Sequence, residues 1–399
     1  MDIGGTNDVR PRVLVVSHDM LWPPVGGGRM RCEILVRHAL REARVDLVVV
    51  APADDVARHR DAVPDLPGLT THVFVDESPP GPTPDRASRA AAAHIERLTG
   101  DGDPVDAVHV EGHYLVRLVP LRLHGRTILV DHNVESQLVA QRASTGEPVP
   151  DSRIREIERH EGWAWRQAGA VVALSPEDAD EMHRREPTVV PHLIPNGWDH
   201  LPEAPPRPPD DGCLTAPRLL FVADYDYPPN RDALGWLVDE VFPLIQAGVP
   251  GARLRLVGVN VGAALARSVA ERAGVDVVGY VDDLPAELDR ADVVLCPLRI
   301  GGGVKVKVIE AIRRSCLLVS TTVGGIRGIP EPLRSAVCFA DDATTFAGHV
   351  VRLCVDPAER RRRRAVLAAN QWAAPTWEES SRRTIRLWST TSARARRLS

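Results

Sequence analysis

"ADVVLCPLRIGGGVKVKVIEAIRRSCLLVST", Ala291 to Thr321, reads as one strand–helix–strand unit. The run "DVVLCPL" (Asp292 to Leu298) has the length and β-branched content of a buried strand, and "LLVST" (Leu317 to Thr321) supplies the next. Between them stand three glycines and then "VKVKVIEAIRR", whose later part carries a helical pattern. A crossover of this length joins two parallel strands. The stretch also holds Lys305 and Lys307, the only lysines among 49 basic residues; the other 47 are arginine.

Outward from this unit the same alternation runs through the whole chain. Upstream lie "RLLFVAD" (Arg218 to Asp224), "RLRLVG" (Arg253 to Gly258) and "VDVVGYV" (Val275 to Val281). The first half repeats the pattern with "RVLVVS" (Arg12 to Ser17), "VDLVVVA" (Val45 to Ala51), "THVFV" (Thr71 to Val75), "AVHVEG" (Ala107 to Gly112), "TILVDH" (Thr127 to His132) and "AVVALS" (Ala170 to Ser175). Near-continuous apolar strands are those of sheets covered by helices on both faces. The expected fold class is α/β, with two doubly wound Rossmann-like domains facing across a cleft. The expected boundaries are 1–199 for the N-terminal domain, 200–217 for a proline-rich linker and 218–372 for the C-terminal domain, with a helix at 373–399 packing back on the N-terminal domain. In such sheets ligands bind beyond the carboxyl ends of the strands, so the cleft is the expected site.

Composition narrows the function classes. A chain of 399 residues, 44% hydrophobic and 26% charged, is long enough for two cores and ordinary for a soluble globular protein. A net charge of -5 gives no reason to expect nucleic acid as partner. Six cysteines lack any C-x-x-C or zinc spacing, and several sit in apolar runs, so they read as small buried hydrophobes in a reducing compartment. The N-terminus lacks the pattern of a signal peptide, and no run approaches the roughly 18 apolar residues of a membrane span. The expectation is a cytoplasmic protein, compatible with peripheral membrane contact. The run Arg360 to Arg364 reads as a solvated helix face, with a lipid or nucleic-acid patch as the alternative.

Gly301, Gly302 and Gly303 let the backbone approach a ligand and aim its N–H groups outward. A helix start behind them adds partial positive charge, which suits a phosphate or diphosphate, and Lys305 or Lys307 supplies a compact cation. The alternative is a tight turn followed by two solvated lysines. The Walker pattern G-x-x-x-x-G-K-[ST] is absent, as is G-x-G-x-x-G after the first strand. "PPVGGGRMR" (Pro23 to Arg31) occupies the matching strand-to-helix position of the first domain, so Gly27, Gly28 and Arg29 are candidates beside a plain connection. Glu310 is placed to accept from ribose hydroxyls, or is an exposed helix residue. "VDHNVES" gathers Asp131, His132, Asn133 and Glu135 at a strand's end, with His113 of "VEGHYLV" a weaker candidate. No metal-ligand cluster and no G-x-S-x-G is present, which points to a metal-independent site and away from a covalent hydrolase.

Taken in order, "PPVGGGRMR", "VHVEGH", "DHNVES", "VVALSPEDAD", "IPNGWD", "LLFVADYDYPPNRDALGWLVDEVFPLI", "VVGYVDDLP" and "PLRIGGGVKVKVIEAIRRSCLLVSTTVGGIRGI" resemble the retaining family-4 glycosyltransferases of the GT-B fold over nearly the whole chain. The resemblance implies a hexosyltransferase-type enzyme that moves a sugar from a nucleoside diphosphate to an acceptor, a small molecule, natural product or cell-envelope glycan. It implies no cofactor beyond that co-substrate. Gly301 to Val304 would lie by the sugar and diphosphate, and Glu310, the second glutamate of E-x7-E, by the ribose. His132 matches the first-domain histidine near the donor sugar, while Gly27 and Gly28 match the loop facing the diphosphate. Lys305, Lys307, Asp224, Asn230 and Tyr280 complete the implied donor set. Two departures stand out. Gly302 replaces the first glutamate of E-x7-E, and Asp224 and Asn230 fall near positions where many members carry arginine and lysine. Lys307 or Lys305 would then meet the diphosphate. Two rivals remain at this stage: a GT-B nucleotide-sugar epimerase, and a degenerate GT-B protein acting as a nucleotide-binding or partner subunit.

Overall fold

The computed structural model describes residues 10–24, 26–78, 87–100, 104–144, 147–202, 204–205, 212–262, 267, 269 and 272–398. Parts of the expected linker (203 and 206–211) and the N-terminal residues 1–9 lie outside the described residues. The chain divides into two compact units. The first contains residues up to Ala143, Pro148–Asn196 and the helix from Trp377; the second is built on Gly197–Thr376.

The first unit carries a seven-stranded sheet of β1 (Arg12–Ser17), β2 (Arg44–Ala51), β3 (Leu69–Val75), β4 (Ala107–Glu111), β5 (Thr127–Asp131), β6 (Ala170–Ala173) and β7 (His192–Leu193), in the order 3-2-1-4-5-6-7. Every pairing is parallel. All five residues of β4 and of β5 are buried, as expected of strands covered on both faces. The helix Gly27–Ala39 packs against the C-terminal helix Trp377–Leu398. Small residues on the C-terminal helix, Ser380, Thr384, Thr391 and Ser392, are buried and permit close approach. Arg31, also buried, donates to Asn196 Oδ1 at 2.9 Å and to the Ile194 carbonyl at 3.3 Å.

The second unit repeats the plan. Strands β8 (Arg218–Asp224), β9 (Arg253–Val259), β10 (Val275–Gly279), β11 (Val293–Cys296), β12 (Leu317–Ser320) and β13 (Cys338–Phe339) form a parallel sheet in the order 10-9-8-11-12-13. Trp198, 1% exposed, sits in this unit's core, and its N–H donates to the Pro375 carbonyl at 2.9 Å. Each sheet thus reverses its winding beside its first strand, between β1 and β4 and between β8 and β11. The carboxyl ends of those pairs are the places where neighbouring connections part.

Two expectations need correction. Five cysteines are buried as read, but Cys213 is exposed, because it follows the proline-rich segment and not a strand; its Sγ rests 3.2 Å from the Val355 carbonyl. The run Arg360 to Arg364 is not uniformly a solvated face. Arg360 is 1% exposed and donates to the carbonyls of Leu353, Cys354 and Gly212 at 2.8, 3.0 and 2.6 Å. Its guanidinium closes the ends of the preceding helix and of the linker segment, a task an exposed arginine cannot do. Arg360→Ala removes these three bonds, with the Cys354 carbonyl keeping only its donor from the Leu214 N–H, and is expected to destabilise the second unit by about 2–4 kcal/mol. Arg361→Ala, on the exposed side, should cost under about 0.5 kcal/mol. Urea titration of the two variants checks the difference.

Candidate functional site

At the reversal of the second sheet, β8 and β11 hand over to the helices Pro228–Trp236 and Val306–Arg313. The glycine bend lies in the segment between β11 and the latter helix. Lys305 stands at its N-cap position but offers no side-chain cap to the helix. Its ammonium instead turns back and donates to Gly302 O at 2.5 Å and Gly303 O at 3.0 Å. A Cβ on Gly301 would stand 2.9 Å from Lys305 Cε, so glycine there makes room for the lysine stem. Val304 rests against Gly328, which has φ +73 and whose added Cβ would lie 2.5 Å from Val304 Cγ2. The N–H groups of Gly302, Gly303 and Val304 have no partner among the described residues, and those of Val306 and Lys307 open the helix. Donors of this kind, at a glycine bend and a helix start, are suited to an anion.

Lys307 takes a different path from Lys305. Its Nζ donates to Asn230 Oδ1 at 2.9 Å and lies 4.9 Å from the centre of the Phe221 ring. Burial lowers its pKa, against the pull of Cys296, Glu310 and Asp224. Asn230, 6% exposed, passes the chain on: its Nδ2 donates to the Asp224 carbonyl at 2.8 Å. The Asp224 carboxylate, on the exposed side, accepts from Asn260 Nδ2 at 2.8 Å and from the Asp226 N–H at 3.1 Å. Glu310 lies one turn beyond Lys307 on the same helix, and its Oε1 is 3.3 Å from His200 Nε2. Tyr280, 67% exposed, follows β10.

The first unit has its own polar cluster at the β1/β4 reversal. His132, just after β5, sets Nε2 in close contact with Glu111 Oε2 at the end of β4. Its ring lies over Gly28 in the first turn of the helix Gly27–Ala39. His18, following β1, stands edge-on to His132 with ring centres 6.2 Å apart, and its Nε2 is 3.1 Å from Asp19 Oδ2. Arg29 reaches Asp55 at 2.9 Å and Asp19 at 3.9 Å. Burial pushes the Glu111 carboxyl up, but His132 and His109 together hold it well below the usual carboxylate range.

Other candidates are turned away from this cluster. His113 is 4% exposed; its N–H donates to Asp131 Oδ1 at 2.7 Å, and Trp165 Nε1 donates to Asp131 Oδ2 at 2.5 Å. His113 and Asp131 are therefore a buried structural pair, which corrects the expectation that they open on a ligand. Asn133 is occupied by Glu135 Oε1 at 2.8 Å. Residues that the sequence reading did not single out are His18, Asp19, His109, Glu111, Trp388 and His200. A signal existed for two of them, since His109 and Glu111 stand two apart in "VHVEG" and must share a strand face.

Residues 216–356 match the family described as glycosyl transferases group 1. An uncharacterized 44.6 kDa protein in the cps region of Klebsiella pneumoniae is 26% identical over 159 residues, covering 38% of this chain and 41% of that protein. The chain thus spans about two fifths of the length of that curated relative. HepE of Anabaena, solved in complex with UDP and glucose, superposes with a TM-score of 0.67 at 12% identity over 96% of this chain and 100% of its own. An α,α-trehalose 6-phosphate synthase of Burkholderia multivorans superposes with a TM-score of 0.63 at 14% identity, again over 96% and 100%. Likeness at these identities shows the fold: two Rossmann-like domains of the GT-B class, with the group 1 match on the second.

The buried pair yields a pH prediction. Burial opposes the charge on His113, but Asp131 outweighs it and raises the pKa from its ordinary 6.5 to about 9. A raised histidine contributes stability that is complete below 6.5 and is lost as pH climbs through about 9. Urea midpoints of the first unit should therefore fall between those values, and His113→Phe should flatten that slope.

Proposed function

We propose that the chain transfers a sugar from a nucleoside diphosphate sugar to a hydroxyl-bearing acceptor, with retention of anomeric configuration and without a metal ion. The observation that carries this reading is the arc of unpartnered N–H groups at Gly302, Gly303 and Val304, beside a helix start and the Lys307 ammonium. The group 1 match covers this same segment, and the Anabaena relative in fold was solved with UDP.

As the bond to the sugar breaks, negative charge grows on the diphosphate. Preorganised N–H donors and an ammonium lower the energy of that charge without reorganising, typically the largest catalytic term. Lys307 Nζ lies 2.9 Å from Asn230 Oδ1, so the cation that the resemblance implies near Asn230 is available from the facing helix. Gly302 leaves room and an N–H where a glutamate would otherwise hold the sugar. Glu310, beside His200, accepts from the ribose hydroxyls. The acceptor, a small molecule or glycan, falls to the first unit with Gly27, Gly28, Arg29 and His132. No described helix is long and apolar enough to cross a membrane; we place the reaction in the cytoplasm.

A second reading, a nucleotide-binding or partner subunit without turnover, is favoured by the Asp224 carboxylate standing where the resemblance implies a cation. Calorimetry and donor consumption separate the two. The transferase reading expects a nucleoside diphosphate to bind and its sugar to be consumed only with acceptor present, with excess EDTA leaving the rate unchanged. Binding without consumption supports a nucleotide-binding subunit, and no binding removes the donor site and leaves only the partner subunit.

Lys307→Met keeps the stem against Phe221 and removes the charge. It is expected to weaken nucleoside diphosphate affinity about 10–100-fold, the worth of one charge-assisted hydrogen bond, with little change in Tm. Unaltered affinity would take Lys307 out of the site.

A further inference from the structure

Residues 197–202 open the second unit and carry neither helix nor strand. Holding such a stretch in one path costs backbone entropy, which side-chain burial and hydrogen bonds must offset. Both sides of His200 are fastened within this unit. On one side Trp198, 1% exposed, is set in the core, and its N–H donates to the Pro375 carbonyl. On the other, Leu201 packs against the same core. The Pro202 carbonyl accepts from Arg314 Nη1 at 2.7 Å, while Arg314 Nε donates to Asp289 Oδ1 at 3.0 Å. Arg314 directly follows the helix Val306–Arg313, so the stretch is tied to the helix that carries Lys307 and Glu310.

This path brings His200 Nε2 to 3.3 Å from Glu310 Oε1, and both side chains are 11% exposed. A carboxylate only accepts, so Nε2 carries the proton and donates. The second oxygen, Oε2, has no hydrogen-bond partner among the described residues. Glu310 follows Lys307 by three residues, which puts the two on neighbouring positions of one helix side. A glutamate side chain has three torsions to order, and ordering them only when a ligand arrives weakens the complex. With Oε1 held by the imidazole, that ordering is complete before binding.

We propose that His200 is a positioning residue for Glu310: its Nε2–H fixes the carboxylate so that it meets the two adjacent hydroxyls of a ribose, and His200 thereby sets the preference for a ribonucleoside diphosphate over its 2′-deoxy counterpart. The assignment rests on the transferase reading above, which gives the ribose to Glu310. A site built to bond a hydroxyl discriminates against the ligand that lacks it, because the acceptor is then left unmatched. The discrimination depends on where the acceptor points, and that is what the imidazole controls. A contact that merely straps residues 197–202 to the helix would lower stability and leave the two nucleotides bound in an unchanged ratio. Glu310 also supports the Lys307 charge against burial. Removing Glu310 therefore mixes two effects, whereas a change at His200 leaves the carboxylate charge in place.

The test is calorimetry on the full chain with UDP, GDP and ADP and with the 2′-deoxy form of each, alongside Tm. The wild type is expected to favour the ribonucleotide it binds by about 10–100-fold, the worth of one hydrogen bond to a charged acceptor. His200→Leu should bring that ratio below about 3-fold, chiefly by weakening the ribonucleotide, and His200→Gln, which keeps an N–H donor, should restore most of it. In a Glu310→Gln background His200→Leu should change the ratio no further, as expected of two residues acting as one unit. If the Tm of His200→Leu shows that it does not fold, His200→Ala takes its place. A full ratio in the leucine or alanine variant, or an equal further loss in the Glu310→Gln background, overturns the role of His200 and leaves the donor reading standing. A wild type that binds both forms equally overturns it too, again without touching the diphosphate site. A wild type that binds none of the nucleotides removes the donor reading, and this assignment with it.

Discussion

Each sheet reverses its winding beside its first strand, and that reversal decides where chemistry can sit. Connections leaving the carboxyl ends of β8 and β11 go to opposite faces, so no crossover covers the gap between them. Backbone donors there lose the ladder partners they would have inside the sheet. In the second unit the gap receives a glycine bend whose N–H groups at Gly302, Gly303 and Val304 stay unpartnered among the described residues. In the first unit the equivalent end, at β1 and β4, receives His18 and Glu111, with His132 arriving from β5. The same topology thus yields a donor-rich arc in one unit and a cluster of histidines about a buried carboxylate in the other.

The two lysines divide the work of that arc. Lys305 is structural: its ammonium sits on two successive carbonyls of the bend, where a compact point charge fits and a planar fork would not. Lys307 is held by a neutral amide oxygen and an aromatic face. Burial already lowers its pKa, so the charge is costly where it stands. A diphosphate oxygen is a stronger acceptor than an amide and would compete with Asn230 for that ammonium. An acidic partner in place of Asn230 would have closed the site to anions. Arginine-rich composition accounts for the rarity of lysine elsewhere, and this pairing accounts for where the two remain.

The strands of both sheets were legible because buried parallel strands are written as unbroken β-branched runs. Arg12–Ser17 and Arg218–Asp224 are read to the residue, and the others to within one or two residues at either end. The strands β7 and β13 were not, being two residues each and held by register with their neighbours alone. Gly301 to Gly303, Lys307 and His132 stood out by residue type at a strand's end. Glu111 and His109 were passed over although their spacing of two puts them on one strand face, because nothing local shows that the face is buried against histidine and tryptophan. Trp388 is 279 residues from His109, and no local pattern announces such a partner. Arg360 illustrates the converse: five consecutive arginines look alike in sequence, and only the carbonyls of Leu353, Cys354 and Gly212 single one out.

Strands β4 and β5 both end in a buried acid, and comparing the two separates support from function. Asp131 and Glu111 each meet histidine, and a tryptophan indole completes either network, Trp165 directly and Trp388 through His109. Around Asp131 the network is closed: His113 is 4% exposed and held by that carboxylate, so its charge can only stabilise the fold. Around Glu111 one branch is closed by Trp388 and the other ends in the free edge of His132, over a glycine. Both carboxylates have each oxygen occupied, and the difference lies one step out: the second imidazole on Glu111 reaches solvent, while the histidine on Asp131 does not.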